Sequence, residues 1–289
     1  MTAPLPLVAM LPLKIARAHY DENIERTRLL LESFERFSRF PSPLPVYAVC
    51  LRAELPRVRE AFSRYERVTL ELLCEEDLVP GIGGHGAIGW FKQQALKLAF
   101  SRICPAPFYL TLDPDILLCR ALHADDLVRD GRCYTSWMTK AEHPHWWAAS
   151  AALLGVAVDP TTPGMNVTPQ MLSRDVAQAL GRLLTALLGG DDPWLALLDV
   201  KTRWTEYTLY SIFAEATGRL AEYHRPDLPR GRRLLGRSVW QPSNFENYSL
   251  IDIHDDDSGA FFTVCASHTK VPAALLRGMF DALMDRVGA

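Results

Sequence analysis

The chain has 289 residues, with 31 lysines and arginines against 34 acidic residues and 48% hydrophobic side chains. That length buries roughly three quarters of the unfolded chain's surface, so folding needs neither disulfides nor a structural metal. A formal charge of −3 gives no field able to coat nucleic acid, and the apolar content excludes disorder.

Six cysteines (50, 74, 104, 119, 133 and 265) are scattered without a Cys-x-x-Cys pair. Most sit in apolar runs, where cysteine acts as a small hydrophobe in a reducing compartment. MTAPLPLVAMLPLK lacks a basic leader and is broken by prolines, so it reads as a first strand, not a signal peptide. No run of about 18 uncharged apolar residues marks a membrane span. The expected location is the cytoplasm, with the inner membrane face open to peripheral contact through basic loops.

In chain order, residues 7–13 predict a strand and 23–40 an amphipathic helix. Strand 46–51, helix 55–64 and strand 68–74 follow, then helix 88–102 and strand 108–112. This βαβαβαβ order predicts an α/β fold with a mostly parallel central sheet flanked by helices, ligands binding beyond the carboxyl ends of the strands. The second half is less regular. Strands are expected at 132–138, 155–158 and 261–265, and helices at 169–188, from Thr205, and at 273–287. No linker or repeat divides the chain, which reads as one domain over 1–289.

Asp113-Pro114-Asp115 follows the apolar strand FYLTL. Carboxylates at i and i+2 leave a strand on the same side, and their repulsion favours a hard divalent cation between them. Proline and aspartate are also ordinary turn residues. Lys92 and Gln93 open the helix after Gly89, where free amides favour an anion, though a solvated polar face is the plainer reading. Gly81-Ile82-Gly83-Gly84-His85-Gly86 has dinucleotide-fingerprint spacing, but EEDLVP separates it from the preceding strand. It reads as a mobile glycine loop over the site, and a dehydrogenase is rejected.

His268 and Lys270 in SHTK follow a late strand, offering an imidazole ligand and a phosphate counter-charge. The rival cluster His254-Asp255-Asp256-Asp257 reads as a solvated hairpin turn. Glu206, capped by Thr205 and flanked by aromatics, has the makings of a general base or merely of a helix cap. His143, His145, Trp146 and Trp147 form a loop suited to stacking on a sugar or to packing. Arg225, Arg230, Arg232, Arg233 and Arg237 form a basic run that faces a phosphorylated acceptor or solvent.

LPLK, GWFKQQALKLAF, FYLTLDPDILLCR, WTEYTLYSIF and ASHTK, in that order, resemble bacterial GT-A-type glycosyltransferases of surface polysaccharide synthesis. The resemblance implies a Rossmann-type nucleotide-sugar-binding fold, with residues 1–120 holding a nucleoside-diphosphate sugar (a UDP-sugar favoured) and 121–289 the acceptor. It implies metal-dependent sugar transfer to a hydroxyl of a glycan or glycolipid. Asp113, Asp115 and His268 would hold Mn²⁺ or Mg²⁺. Asp113, Pro12, Lys14, Lys92, Gln93 and Lys270 would contact the donor, and Glu206 would act as base. Pro114 departs from the small residue usual at its position. Two alternatives are a nucleotidyltransferase using the same carboxylates and a catalytically silent nucleotide-binding module.

Overall fold

The computed structural model describes residues 5–15, 20–62, 65–225, 233–256 and 259–288. Four parallel strands form the heart of the sheet: β1 (Leu7–Pro12), β2 (Leu44–Cys50), β3 (Val68–Cys74) and β4 (Phe108–Thr111). A fifth strand, Gln170–Ser173, lies antiparallel beside β4, giving the order Gln170–Ser173, β4, β1, β2, β3. The helices α1 (Tyr20–Phe37), α2 (Leu55–Ala61), the single turn α3 (Glu75–Leu78) and α4 (Gly89–Ala99) connect the parallel strands. The expected parallel α/β architecture is therefore present.

The period-2 geometry of β1 divides two cores. Leu7, Ala9 and Leu11 join α1 and the C-terminal helix Ala273–Gly288 on one face. Val8 and Met10 join α4 and the helices Arg174–Leu188 and Glu206–Ala216 on the other. Both faces are buried, which explains why β1 reads as continuously apolar. All six cysteines are free and buried, and burial pushes the Cys50 and Cys119 thiols up to about 12, leaving them unreactive. No described helix is long and apolar enough to cross a membrane.

The second half corrects several expectations. Residues 170–173 pair with β4, and the helix starts only at Arg174, where the Ser173 hydroxyl accepts the Val176 N–H at 3.4 Å. An apolar segment ahead of a helix carries no local sign of its choice, and the open edge of β4 decides it. Residues 155–158 form no strand, because Gly155 closes the helix Pro144–Leu154 in the left-handed conformation (φ 65°). That helix occupies what read as a loop. The 132–138 segment yields only short strands at Arg132–Tyr134 and Met138–Thr139. His254 and Asp255 end a helix, Leu250–Asp255, rather than a hairpin, with the His254 ring on the Cys119 carbonyl at 2.6 Å. Asp257, Arg230 and Arg232 lie outside the described residues.

A buried polar chain ties the edge strand to the helix Glu206–Ala216. The Tyr210 hydroxyl accepts the Ser173 N–H at 2.8 Å and meets His224 Nε2 at 2.7 Å. On its other side His224 Nδ1 meets the Thr135 hydroxyl at 2.7 Å. Burial pushes His224 down to about 3, so it stays neutral in the fold while the unfolded chain takes a proton near pH 6.5. Its contribution is complete above pH 6.5 and is lost as pH falls toward 3, where the unfolded state binds the extra proton. Urea unfolding at pH 7 and 4.5 is expected to show a larger acid loss in wild type than in His224→Gln. Equal losses would contradict this.

Candidate active site

The carboxyl edge of the sheet is where the sequence-predicted residues meet. β4 ends at Thr111, Leu112 N–H bonds the Met10 carbonyl at 2.8 Å, and the chain turns through Asp113-Pro114-Asp115 into β5 (Ile116–Leu118). Proline cannot extend the ladder and fixes this turn. β5 pairs antiparallel with Phe262–Val264, which carries the ASHTK segment to the same place. The Cys265 N–H donates to the Asp115 carbonyl and the Ser267 N–H to the Asp115 carboxylate, both at 2.9 Å. Arg26, buried on α1, clamps this segment by donating to the carbonyls of Cys265 (2.8 Å) and Val271 (2.5 Å).

Asp113 faces the other way, toward Lys97 on α4. The Lys97 ammonium lies 3.0 Å from the Asp113 carboxylate, 3.0 Å from Glu206 Oε1 and 3.4 Å from the Tyr207 hydroxyl. Lys97 and Glu206 are each only 4% exposed. Burial acts to lower Lys97, but Asp113, Tyr207 and Glu206 outweigh it and hold the ammonium well above its ordinary value. Glu206 is raised, chiefly by burial, with Lys97 opposing. The Tyr207 hydroxyl also bonds Thr111 Oγ1 at 2.8 Å, and Gln94 accepts the Glu206 N–H at 3.1 Å. The network thus joins α4, the end of β4 and the start of the helix Glu206–Ala216.

Burial, with Asp113 beside it, pushes Asp115 up to about 6, against the lowering bond from Ser267. Asp113 and Glu206 share the buried Lys97 ammonium, whereas Asp115 is offset by buried Arg26 before Lys97. Among the described residues, no three His, Cys, Asp or Glu side chains gather around one point fit for a metal. His268 follows Ser267, whose N–H bonds Asp115, but its own Nε2 bonds the Trp240 carbonyl at 2.8 Å, so the expected ligand set Asp113, Asp115 and His268 is not gathered around one point.

The remaining predicted residues ring the same edge. Pro12 is buried at the end of β1, and Lys14 is exposed just beyond it. The Lys14 ammonium would touch a Cβ at Gly89 at 4.0 Å, which places it by the start of α4. Lys92 donates to the Gly83 carbonyl at 3.1 Å, Gln93 is half-buried, and Lys270 is exposed at a left-handed position (φ 59°). The glycine loop is tied down. Glu76 accepts the amides of Gly81 and Gly83 at 2.8 and 2.6 Å, and His85 reaches Asp199 at 3.2 Å. Those amides are therefore occupied by the chain's own carboxylate.

Sequence reasoning missed Lys97, Gln94, Tyr207 and Asn166. Both amide atoms of Asn166 and the Thr168 hydroxyl are buried without a partner. Gln170 pairs with Thr111, so the residues ahead of it run past the end of β4 on the side of Asp113. Unpaired buried amides cost about 1–3 kcal/mol, which a ligand or water there would relieve. A separate cavity of about 440 Å³, lined by Pro6, Phe108, Asp125 and Tyr223 among others, opens at the amino ends of the strands and shares none of these residues.

Among solved structures, the chain resembles mouse xyloside xylosyltransferase 1 in its apo form, with a TM-score of 0.55 and 13% identity over 92% of this chain and all of that one. The fold is thus of the GT-A glycosyltransferase type. Residues 5–286 match the model of a family of unknown function (DUF6492), and the chain belongs to that family. No curated protein matches the sequence.

Proposed function

We propose that this protein is a glycosyltransferase that moves a sugar from a nucleoside-diphosphate sugar, a UDP-sugar by preference, to a hydroxyl of a glycan or glycolipid in bacterial surface polysaccharide synthesis. The observation that carries the reading is the Asp113-Pro114-Asp115 turn, held at the carboxyl edge of a GT-A-type sheet by the Cys265–Ser267 segment. The chain would work as one unit, residues 1–120 serving the donor and 121–289 the acceptor.

Asp113 and Asp115 suit Mn²⁺ or Mg²⁺, since such ions take one or two carboxylates and complete their shell with water and phosphate oxygens. The feature that fits a cation is the buried Asp115 carboxylate, raised by burial and by Asp113 beside it. When bound, the ion would offset charge developing on the departing diphosphate. His268 is left out of the Asp113 and Asp115 pair, since its Nε2 holds the Trp240 carbonyl and the described residues gather no three such ligands. Lys14, Lys92 and Lys270 stand around the edge to attract phosphates, and Pro12 and Gln93 line it. Asn166 and Thr168 would donate to and accept from sugar hydroxyls.

Glu206 is reassigned within this proposal. Bonded to Lys97 and 4% exposed, it would act as a positioning residue that fixes Lys97 and through it Asp113. Incubation with UDP-, GDP- and CDP-sugars, xylose included because of the structural neighbour's name, tests the function by product. Release of a nucleoside diphosphate with a glycosylated acceptor or free sugar is expected. Release of a sugar 1-phosphate from these donors, or of pyrophosphate from a nucleoside triphosphate supplied with a sugar 1-phosphate, would indicate a nucleotidyltransferase, and no turnover of any donor a silent module.

A further inference from the structure

The four aromatic residues at 143–147 do not act alike. Trp147 turns into the core beside Gly164, where even a Cβ would lie 2.1 Å from its ring. Trp146 stays half-exposed and stacks on His143, with ring centroids 4.0 Å apart and planes 22° from parallel. His143 holds a left-handed backbone (φ 55°), a region in which histidine, asparagine and aspartate are enriched among residues other than glycine. A second element completes the surface. Trp90, at the start of α4 and 43% exposed, meets the Trp146 ring at 6.1 Å, and its neighbour Ile88 is 64% exposed.

This shelf connects to the buried charge network by ring contacts. Trp90 packs on Phe91 at 5.0 Å, and Phe91 packs on Trp204 at 5.3 Å, two residues before Glu206. It therefore borders the carboxyl-edge site on its Glu206 side. Trp90 and Ile88, held open to water, forgo burial that a partner would supply. The polar groups in ring contact with Trp146 are the His143 and His145 imidazoles, while the Lys14 ammonium lies by Gly89, next to Trp90. That chemistry suits a sugar ring, whose apolar C–H face packs on indole while its hydroxyls meet the imidazoles at the edge.

We propose that Trp90, Trp146 and His143 form an acceptor subsite that stacks one pyranose ring of a glycan. The word acceptor rests on the transferase reading above; the glycan site does not. Saturation-transfer NMR on the whole chain tests it, irradiating aromatic protons in the presence of methyl β-glucoside, β-galactoside, α-mannoside or β-xyloside. At least one glycoside is expected to receive saturation on the C–H groups of one ring face. The signal should fall about fivefold or more in Trp90→Ala and in Trp146→Ala, and return in part in Trp146→Tyr.

UDP-induced stabilisation, measured on the same samples, should be unchanged by these substitutions. Equal saturation in wild type and both alanine variants, or none with any glycoside, would overturn the subsite. A Trp-dependent glycoside signal in a chain that binds no nucleotide would keep the subsite and remove the transferase reading.

Discussion

Lys97→Met is expected to lower folding stability by about 3–5 kcal/mol, because it leaves the Asp113 and Glu206 carboxylates together without their shared cation. The methionine fills much of the same space, so packing loss is a minor part of the effect. Both carboxylates lie 3.0 Å from the ammonium, and Glu206 is only 4% exposed. Adding Glu206→Gln should therefore restore a substantial share of the lost stability, since one of the two stranded charges is removed. Denaturant unfolding of the four proteins in the cycle measures this coupling. Additive losses would mean that Lys97 is merely a packed side chain. Transfer should stay low in the double variant even as stability returns, because Asp113 remains without its anchor.

Asp115→Asn should act in the opposite sense on stability and activity. Asparagine keeps an oxygen to accept the Ser267 N–H, so the turn and its clamp persist. It also removes a charge that burial and Asp113 already penalise, so the melting temperature should be unchanged or raised. Sugar transfer should nevertheless fall by about a hundredfold or more, the scale of losing one group that stabilises developing charge. A stable variant with wild-type transfer would show that the carboxylate is only part of a turn. A variant that unfolds would show that its charge is structural.

The parallel half of the fold was readable because its signals are local. β1 is apolar on both faces, Pro105 lies beyond α4 and its closing turn, and β3 runs over the same residues as predicted. The meeting of DPD with ASHTK was also foreseeable in outline, as both follow strands. The register of β5 against Phe262–Val264, which sets the clamp, was not, because it joins residues about 150 positions apart. The edge strand Gln170–Ser173 merged with the helix after it for the same reason: only the exposed edge of β4 separates the two.

The choice of lysine shows where pattern reading stops. Lys92 and Gln93, in the first turn of α4, looked placed for an anion, yet Lys92 reaches the Gly83 carbonyl. Lys97 sits between Leu96 and Leu98, on a face that also buries Gln94. A cation at such a position needs a buried anion, and a strand ending in Asp113 was the available clue. Glu206 looked like a base for its neighbours' character, but its burial depends on α4 packing against its helix. Asn166 carried no motif at all; only the unpaired state of its amide singles it out.

The most direct test of the account is nucleotide binding by the full chain, followed by thermal unfolding with UDP, GDP, CDP or ADP, in Mn²⁺ and in EDTA. A ligand that binds only the folded state raises the melting temperature by mass action. A shift is expected with one nucleoside diphosphate, UDP first, that requires Mn²⁺ and disappears in Asp115→Asn. A shift that survives both EDTA and the substitution, or no shift with any nucleoside diphosphate, would contradict a donor site at the Asp113-Pro114-Asp115 turn.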